Sequence, residues 1–180
     1  MKKILVFAGS NSKQSINKEL ATYAAGFLAD VQIQLLDLND FPLPLYSVDL
    51  EREQGFPMPA LDFLRIIKES DGILLSLAEH NSSYTAVFKN LFDWLSRIES
   101  ECFQNKPMLL LATSPGERGA LGVLTSAIER FPRHGAQIIE TFTLPNFRHN
   151  FISGKIVNDS MQQQLLLVLR RFESSLHKPE

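Results

Sequence analysis

Cysteine is almost absent. Cys102 stands alone among 180 residues, so an internal disulfide and a thiolate metal site are both excluded. Its place near the end of a helical pattern reads it as a small apolar filler, in keeping with a reducing compartment. Long apolar runs are missing too: nowhere do 18 apolar residues follow one another, as a membrane span needs. After Lys2 and Lys3 the chain runs straight into its first strand with no small-residue cleavage site, and the expectation is a soluble, cytoplasmic protein. Neither sign of charge is in excess. A net charge of −2 and a pI near 6.1 give no basic footprint for nucleic acid and no acidic surplus for steering toward basic partners, which leaves a small molecule as the expected partner. Glycine is scarce where nucleotide loops need it. Gly9 is the only glycine of the first loop, so G-x-G-x-x-G cannot be written there, and no Gly-Lys-Ser/Thr is present to cradle a triphosphate.

What is present centres on Ile4-Leu5-Val6-Phe7-Ala8-Gly9-Ser10-Asn11-Ser12-Lys13-Gln14-Ser15-Ile16-Asn17. The unbroken apolar run predicts a parallel strand covered on both faces by helices. A polar loop follows, then a helical pattern from about Ser15, so the loop lies where a strand meets a helix N-terminus. Free backbone N–H groups and the positive end of the helix dipole converge at such a junction, and Ser10, Ser12 and Ser15 add hydroxyl donors suited to a phosphate. The plainer reading is turn and cap chemistry, which favours the same residue types. With dinucleotide and triphosphate loops disfavoured, the phosphate of flavin mononucleotide is the remaining common ligand for such a sheet.

Strand and helix alternate five times along a single domain, 1–180, which predicts a doubly wound parallel sheet. Helix one covers 15–28, with Leu20, Tyr23, Ala24 and Phe27 on one face, and strand two covers 31–36, its alternation suiting a place near the sheet edge. The segment 37–59 holds four prolines, which rule out a continuous helix or central strand. A connection that long suggests a lid or interface. Helix two follows at 60–70, strand three at 72–77, and a polar loop at 78–83. Helix three, 84–98, with Ser82 or Ser83 as its expected cap, is apolar around much of its circumference. Its Phe88/Phe92 stripe needs a cover, either a second subunit or the proline-rich segment. Strand four at 108–113, a third polar loop at 114–119, helix four at 120–134, strand five at 137–142, a loop at 144–154 and a last helix at 159–177 complete the chain.

Taken together, Gly9-Ser10 with Ser15 and Asn17, Phe41-Pro42-Leu43-Pro44-Leu45-Tyr46, Glu79-x-Asn81-x-Ser83, Lys89-Asn90-Leu91-Phe92-Asp93-Trp94, and Ser114-Pro115-Gly116-x-x-Gly119 resemble the NADPH-dependent FMN reductase family, across almost the whole chain and in the right order. The resemblance implies a flavodoxin-like three-layer α/β fold, with a five-stranded parallel sheet in the order 2-1-3-4-5 and helices on both faces. It also implies bound FMN, NAD(P)H as electron donor, a quinone, free flavin or similar acceptor reduced by a ping-pong route, and a homodimer or homotetramer. Carried over, Ser10, Ser15, Ile16 and Asn17 line the ribityl phosphate, with Ser12 at the family's arginine position and adjacent Lys13 as the cation that can stand in for it, Glu79, His80, Asn81 and Ser82 run along the isoalloxazine ring, and Ser114, Pro115 and Gly116 close its far side. The chain departs from the family at Ser12, where arginine is usual, at Ala78 and His80 in place of proline and tyrosine, and at Thr85 in place of a helix-starting proline. The rival readings are a nonenzymatic electron carrier and a family member that has lost FMN and serves as a binding protein.

Overall fold

In the computed structural model, which describes residues 1–177, strand β1 (Lys2–Ala8) is buried on both faces from Ile4 onward, as its unbroken apolar run requires. After α1 (Ile16–Ala25) comes β2 (Val31–Leu36), then α2 (Val48–Gln54), α3 (Met58–Glu69) and β3 (Gly72–Leu77). The short strands β4 (Glu79–His80) and β5 (Ser83–Tyr84) form a hairpin before α4 (Ala86–Ile98), β6 (Lys106–Thr113), α5 (Leu121–Arg130) and β7 (Ala136–Leu144). A turn of helix, α6 (Phe147–Asn150), and a second hairpin, β8 (Phe151–Ile152) with β9 (Lys155–Ile156), lead into α7 (Asp159–Leu176). The five long strands are all parallel and lie in the order β2-β1-β3-β6-β7, which is 2-1-3-4-5 among long strands, as expected.

Alternate side chains of each strand feed two cores. Leu5, Phe7, Ile73 and Leu75 pack toward α3, α4 and α5, while Ile4, Val6 and Leu74 pack toward α1 and α7. The central strands β1 and β3 are buried throughout their apolar stretches, and β2 is the half-exposed edge that its alternation suggests.

Several boundaries differ from the sequence reading, each for a local reason. Helix one stops at Ala25 with Gly26 as its cap, so Phe27 leaves the core face and lies half-exposed against Tyr23. Residues Ser83 and Tyr84 are consumed by the β4–β5 hairpin, so α4 starts at Ala86 and its cap is Thr85, whose Oγ1 accepts from Phe88 N (3.3 Å) and donates to Gly9 O (2.7 Å). Helix four breaks into α5 and a 3-10 turn at Phe131–His134, because Pro132 has no N–H for an α-helical bond.

The cover over Phe88 and Phe92 is a third arrangement, neither a second subunit nor the proline-rich strap. These rings are only 2% and 5% exposed, enclosed by Tyr84, Phe103 and Phe131 of the same chain. The strap instead crosses the next face of α4. Asn90 Oδ1 accepts from Tyr46 N (2.8 Å) and its Nδ2 donates to Pro44 O (3.0 Å), and Trp94 Nε1 donates to that same carbonyl (2.9 Å). Arg97 grips Glu51 of α2 at 2.9 and 3.2 Å, and the Tyr46 hydroxyl donates to Glu51 at 2.9 Å. The Lys-Asn-x-x-Asp-Trp run is therefore structural: Asn90 and Trp94 hold the strap, and Lys89 pairs with Asp93 one turn along α4.

Candidate functional site

Three loops emerge at the carboxyl ends of β1, β3 and β6, which are neighbours in the sheet, so the topology gathers them on one edge. The first is set by Gly9. A Cβ there would press on Leu77 Cδ2 at 3.3 Å and Phe88 Cγ at 3.4 Å, so glycine lets loop one leave the sheet close to β3 and α4 without displacing those side chains. Its N–H donates to Ser76 O (2.8 Å), locking the loop base to β3.

Beyond Gly9 the hydroxyls form a relay. Ser10 Oγ accepts from Ser12 N (3.2 Å), Ser12 Oγ from Gln14 N (3.3 Å), and Ser15 Oγ, as N-cap of α1, from Lys18 N (3.2 Å). Each oxygen is held by a backbone donor, which leaves the hydroxyl hydrogens of half-buried Ser10 and exposed Ser12 free to turn outward, while Ser15 is buried. The N–H groups of Ile16 and Asn17, in the first turn of α1, have no partner within the helix. Loop one contains no carboxylate, and Lys18 is already paired with Asp37, whose carboxyl that bond holds below the usual range. Lys13 is exposed and makes no ion pair among the described residues, so it is the cation the loop can bring to an anion. This donor set, hydroxyls and N–H groups at a helix N-terminus with one mobile ammonium, fits a phosphate ester.

Asn17 is placed differently from its expected role at the phosphate. It is 2% exposed, and its amide is spent inside the protein: Oδ1 accepts from Ser76 Oγ (2.8 Å) and Thr113 N (3.1 Å), and Nδ2 donates to Thr113 O (3.1 Å). The side chain thereby fastens α1 to the ends of β3 and β6, and only its backbone N–H faces the loop.

Loop two is the β4–β5 hairpin. Asn81 and Ser82 take φ of 52° and 60°, a two-residue turn of the type that suits twisted strands, and they present His80, Asn81 and Ser82 as an exposed tip. Glu79 turns the other way, where its Oε2 accepts from Val123 N (2.8 Å) in the first turn of α5. Loop three, with Pro115 and Gly116 exposed, is held from behind: Gly116 O accepts from Gly119 N and Asn146 N, and Ser114 O accepts from Phe147 N. Two rigidly based walls thus stand beside the phosphate-type loop. A crevice of about 270 Å³ between Asn11, Phe41, Leu43 and Val87 flanks it on one side, and a groove of about 440 Å³ along Lys13, Thr22, Tyr23 and Phe151 on the other.

Two buried reactive groups, Tyr84 beside loop two and Cys102 at the opposite edge of the sheet, are held neutral. Burial pushes the Cys102 thiol and the Tyr84 phenol each up to about 12, so both are neutral at physiological pH, and the Tyr84 hydroxyl has no partner among the described residues. What sequence missed is the role of two residues it had singled out, Glu79 as an acceptor capping α5 and Asn17 as a tie, because their partners are distant in the chain.

The NADPH-dependent FMN reductase family model matches residues 2–149. Among curated proteins, a quinone reductase of Escherichia coli (strain K12) is 30% identical over 120 residues, 64% of this chain and 62% of that protein. An NAD(P)H-dependent FMN reductase of Pseudomonas aeruginosa is 33% identical over 118 residues, 65% of this chain and 62% of that protein. The match therefore spans about three-fifths of these relatives' length. Among solved structures, a flavoenzyme NAD(P)H:(acceptor) oxidoreductase from Paracoccus denitrificans superposes with a TM-score of 0.79 at 24% identity, covering 98% of this chain and 97% of that one. An NADH:FMN oxidoreductase in its apo form gives 0.76 at 22% identity, covering 99% and 92%. No helix among the described residues is long and apolar enough to cross a membrane. With its flavodoxin-like strand order, its loop-one donors and a family match over most of its length, the chain belongs to the NADPH-dependent FMN reductase family.

Proposed function

We propose that this protein is an FMN-dependent NAD(P)H oxidoreductase that reduces a quinone, a free flavin or a similar small acceptor by alternating half-reactions, in the cytoplasm. The observation that carries the reading is loop one, whose hydroxyls, free helix N–H groups and exposed Lys13 fit the phosphate end of FMN. Ser10, Ser12, Ser15 and the N–H groups of Ile16 and Asn17 would hold that end. The tip His80-Asn81-Ser82 and the segment Ser114-Pro115-Gly116 would wall the ring. Bound FMN supplies the redox chemistry, accepting hydride from the nicotinamide and returning electrons to the acceptor at the same place. The protein's share is orientation. Exposed walls on both sides leave room for donor and acceptor in turn, and the backing bonds of loop three hold its wall in place.

A second copy of the chain is part of the proposal, as a homodimer or homotetramer. Leu45 is 81% and Met58 65% exposed, and with Val48 and Phe56 they give the strap and its neighbours an apolar outer surface that a partner would cover.

The test is a titration of the purified protein with FMN, followed by oxidation of NADPH or NADH in the presence of a quinone or free flavin. The expected result is saturable FMN binding, turnover, and parallel double-reciprocal lines. A protein that takes up no FMN is the binding-protein rival, and one that binds FMN without oxidising either nicotinamide is the electron carrier.

A further inference from the structure

We infer that Glu79 is a positioning residue, which together with Gly122 clasps loop two to the N-terminus of α5 and so fixes the spacing of the two ring walls. This rests on the proposed FMN site for its consequence. The geometry of the clasp stands on its own.

Helix α5 begins with Ala120 in the left-handed region and has no side-chain cap of its own. The missing acceptor comes from across the site, as Glu79 Oε2 takes the Val123 N–H at 2.8 Å. A carboxylate there also meets the positive end of the α5 dipole. Glycine at residue 122 leaves room for this approach. A Cβ at that position would lie 2.8 Å from Glu79 Oε2 and 3.2 Å from both the Cβ and the carbonyl oxygen of Ser82. Glycine and acid are thus matched: one allows contact, the other bonds across it. Since α5 directly continues loop three and Glu79 opens loop two, this hydrogen bond, beside the packing of β5 on α5, joins the two walls. Glu79 therefore does not lie along the ring as its place in the loop suggests. It sets where His80, Asn81 and Ser82 stand.

The experiment compares wild type, Glu79→Ala, Glu79→Gln and Gly122→Ala by three readouts: amide hydrogen exchange of the apoprotein at Val123 and loop two, FMN affinity by fluorescence quenching, and the midpoint potential of bound FMN. Glutamine keeps the acceptor oxygen, so we expect Glu79→Gln to retain protection at Val123, to bind FMN within about threefold of wild type, and to leave the potential unchanged. Glu79→Ala should lose that protection and bind roughly tenfold more weakly, the scale of a lost cap. Gly122→Ala should behave like Glu79→Ala; should it fail to fold, the alanine and glutamine pair at position 79 decides alone. A Glu79→Gln protein that binds as poorly as Glu79→Ala, or whose flavin potential shifts, would show the charge acting on the ring and overturn the inference. Unprotected Val123 in wild type would overturn it as well. Wild type that takes up no FMN refutes the functional reading instead, and exchange in the apoprotein then judges the clasp.

Discussion

At the scale of single residues, the informative departure is Ser12. Its hydroxyl can give a phosphate one hydrogen bond, whereas the arginine usual in the family gives a charge-assisted pair, and bonds to charged groups contribute about 1.5–3 kcal/mol. Ser12→Arg is therefore expected to tighten FMN binding about tenfold to a hundredfold, read by titrating the apoprotein. Lys13→Ala should loosen it, and more at low salt, because an exposed contact is screened. Unchanged affinity in Ser12→Arg would place the phosphate away from loop one.

At the scale of elements, the strap over α4 carries its own pH dependence. Hydrogen bonding to Arg97 holds the Glu51 carboxyl below its usual range, so the folded group is more acidic than the unfolded one. Its contribution is then complete above the ordinary glutamate value of about 4.3 and is lost as pH falls through the lower folded value. Trp94, the single tryptophan, reports this directly, since its Nε1 bonds to Pro44 O and Tyr46 stands edge-on to it at 5.1 Å. We expect an acid step in Trp94 fluorescence, and Arg97→Met should move that step up toward the ordinary glutamate range. A step with the same midpoint in both proteins would mean that Glu51 does not govern the strap.

The elements also show what a sequence can and cannot convey. Strands β2 and β3 were legible to the residue, because buried runs and edge alternation are local patterns. The cap of α4 was not, because Ser83 and Tyr84 pair with Glu79 and His80 in a hairpin too short to leave a periodic signal. The aromatic cover of Phe88 and Phe92 was hidden for another reason: Phe103 and Phe131 reach them from β6's entry and α5's exit, contacts fixed only by the assembled fold. In the candidate site, the glycine and cap hydroxyls that shape loop one were readable from the strand–loop–helix junction. The partners of Asn17, at the ends of β3 and β6, and of Glu79, in the first turn of α5, are distant in sequence and were not.

At the scale of the whole molecule, the surface proposed for a second copy is the strap face, which carries the two most exposed apolar side chains within the fold, Leu45 and Met58. Light scattering at micromolar concentration should give a dimer or tetramer, and Leu45→Glu with Met58→Glu should give a folded monomer, checked by circular dichroism. A monomeric wild type would refute the assembly. Phe92→Glu is expected to unfold the chain, because it buries a carboxylate among Phe103, Phe131 and His134.

The tie made by Asn17 also bears on the order in which the molecule assembles and comes apart. Its bonds reach 59 residues to Ser76 and 96 residues to Thr113, so they cannot form until β1, β3 and β6 are already in register. Interactions that arrive after the folding barrier slow escape from the native state without hastening entry into it. Asn17→Ala, which strands a buried hydroxyl and both backbone groups of Thr113, should cost about 3 kcal/mol and appear almost wholly as faster unfolding, about a hundredfold, with the refolding limb of a denaturant chevron unmoved. A side chain at the foot of the phosphate-type loop would then act as a latch on the lifetime of the native sheet.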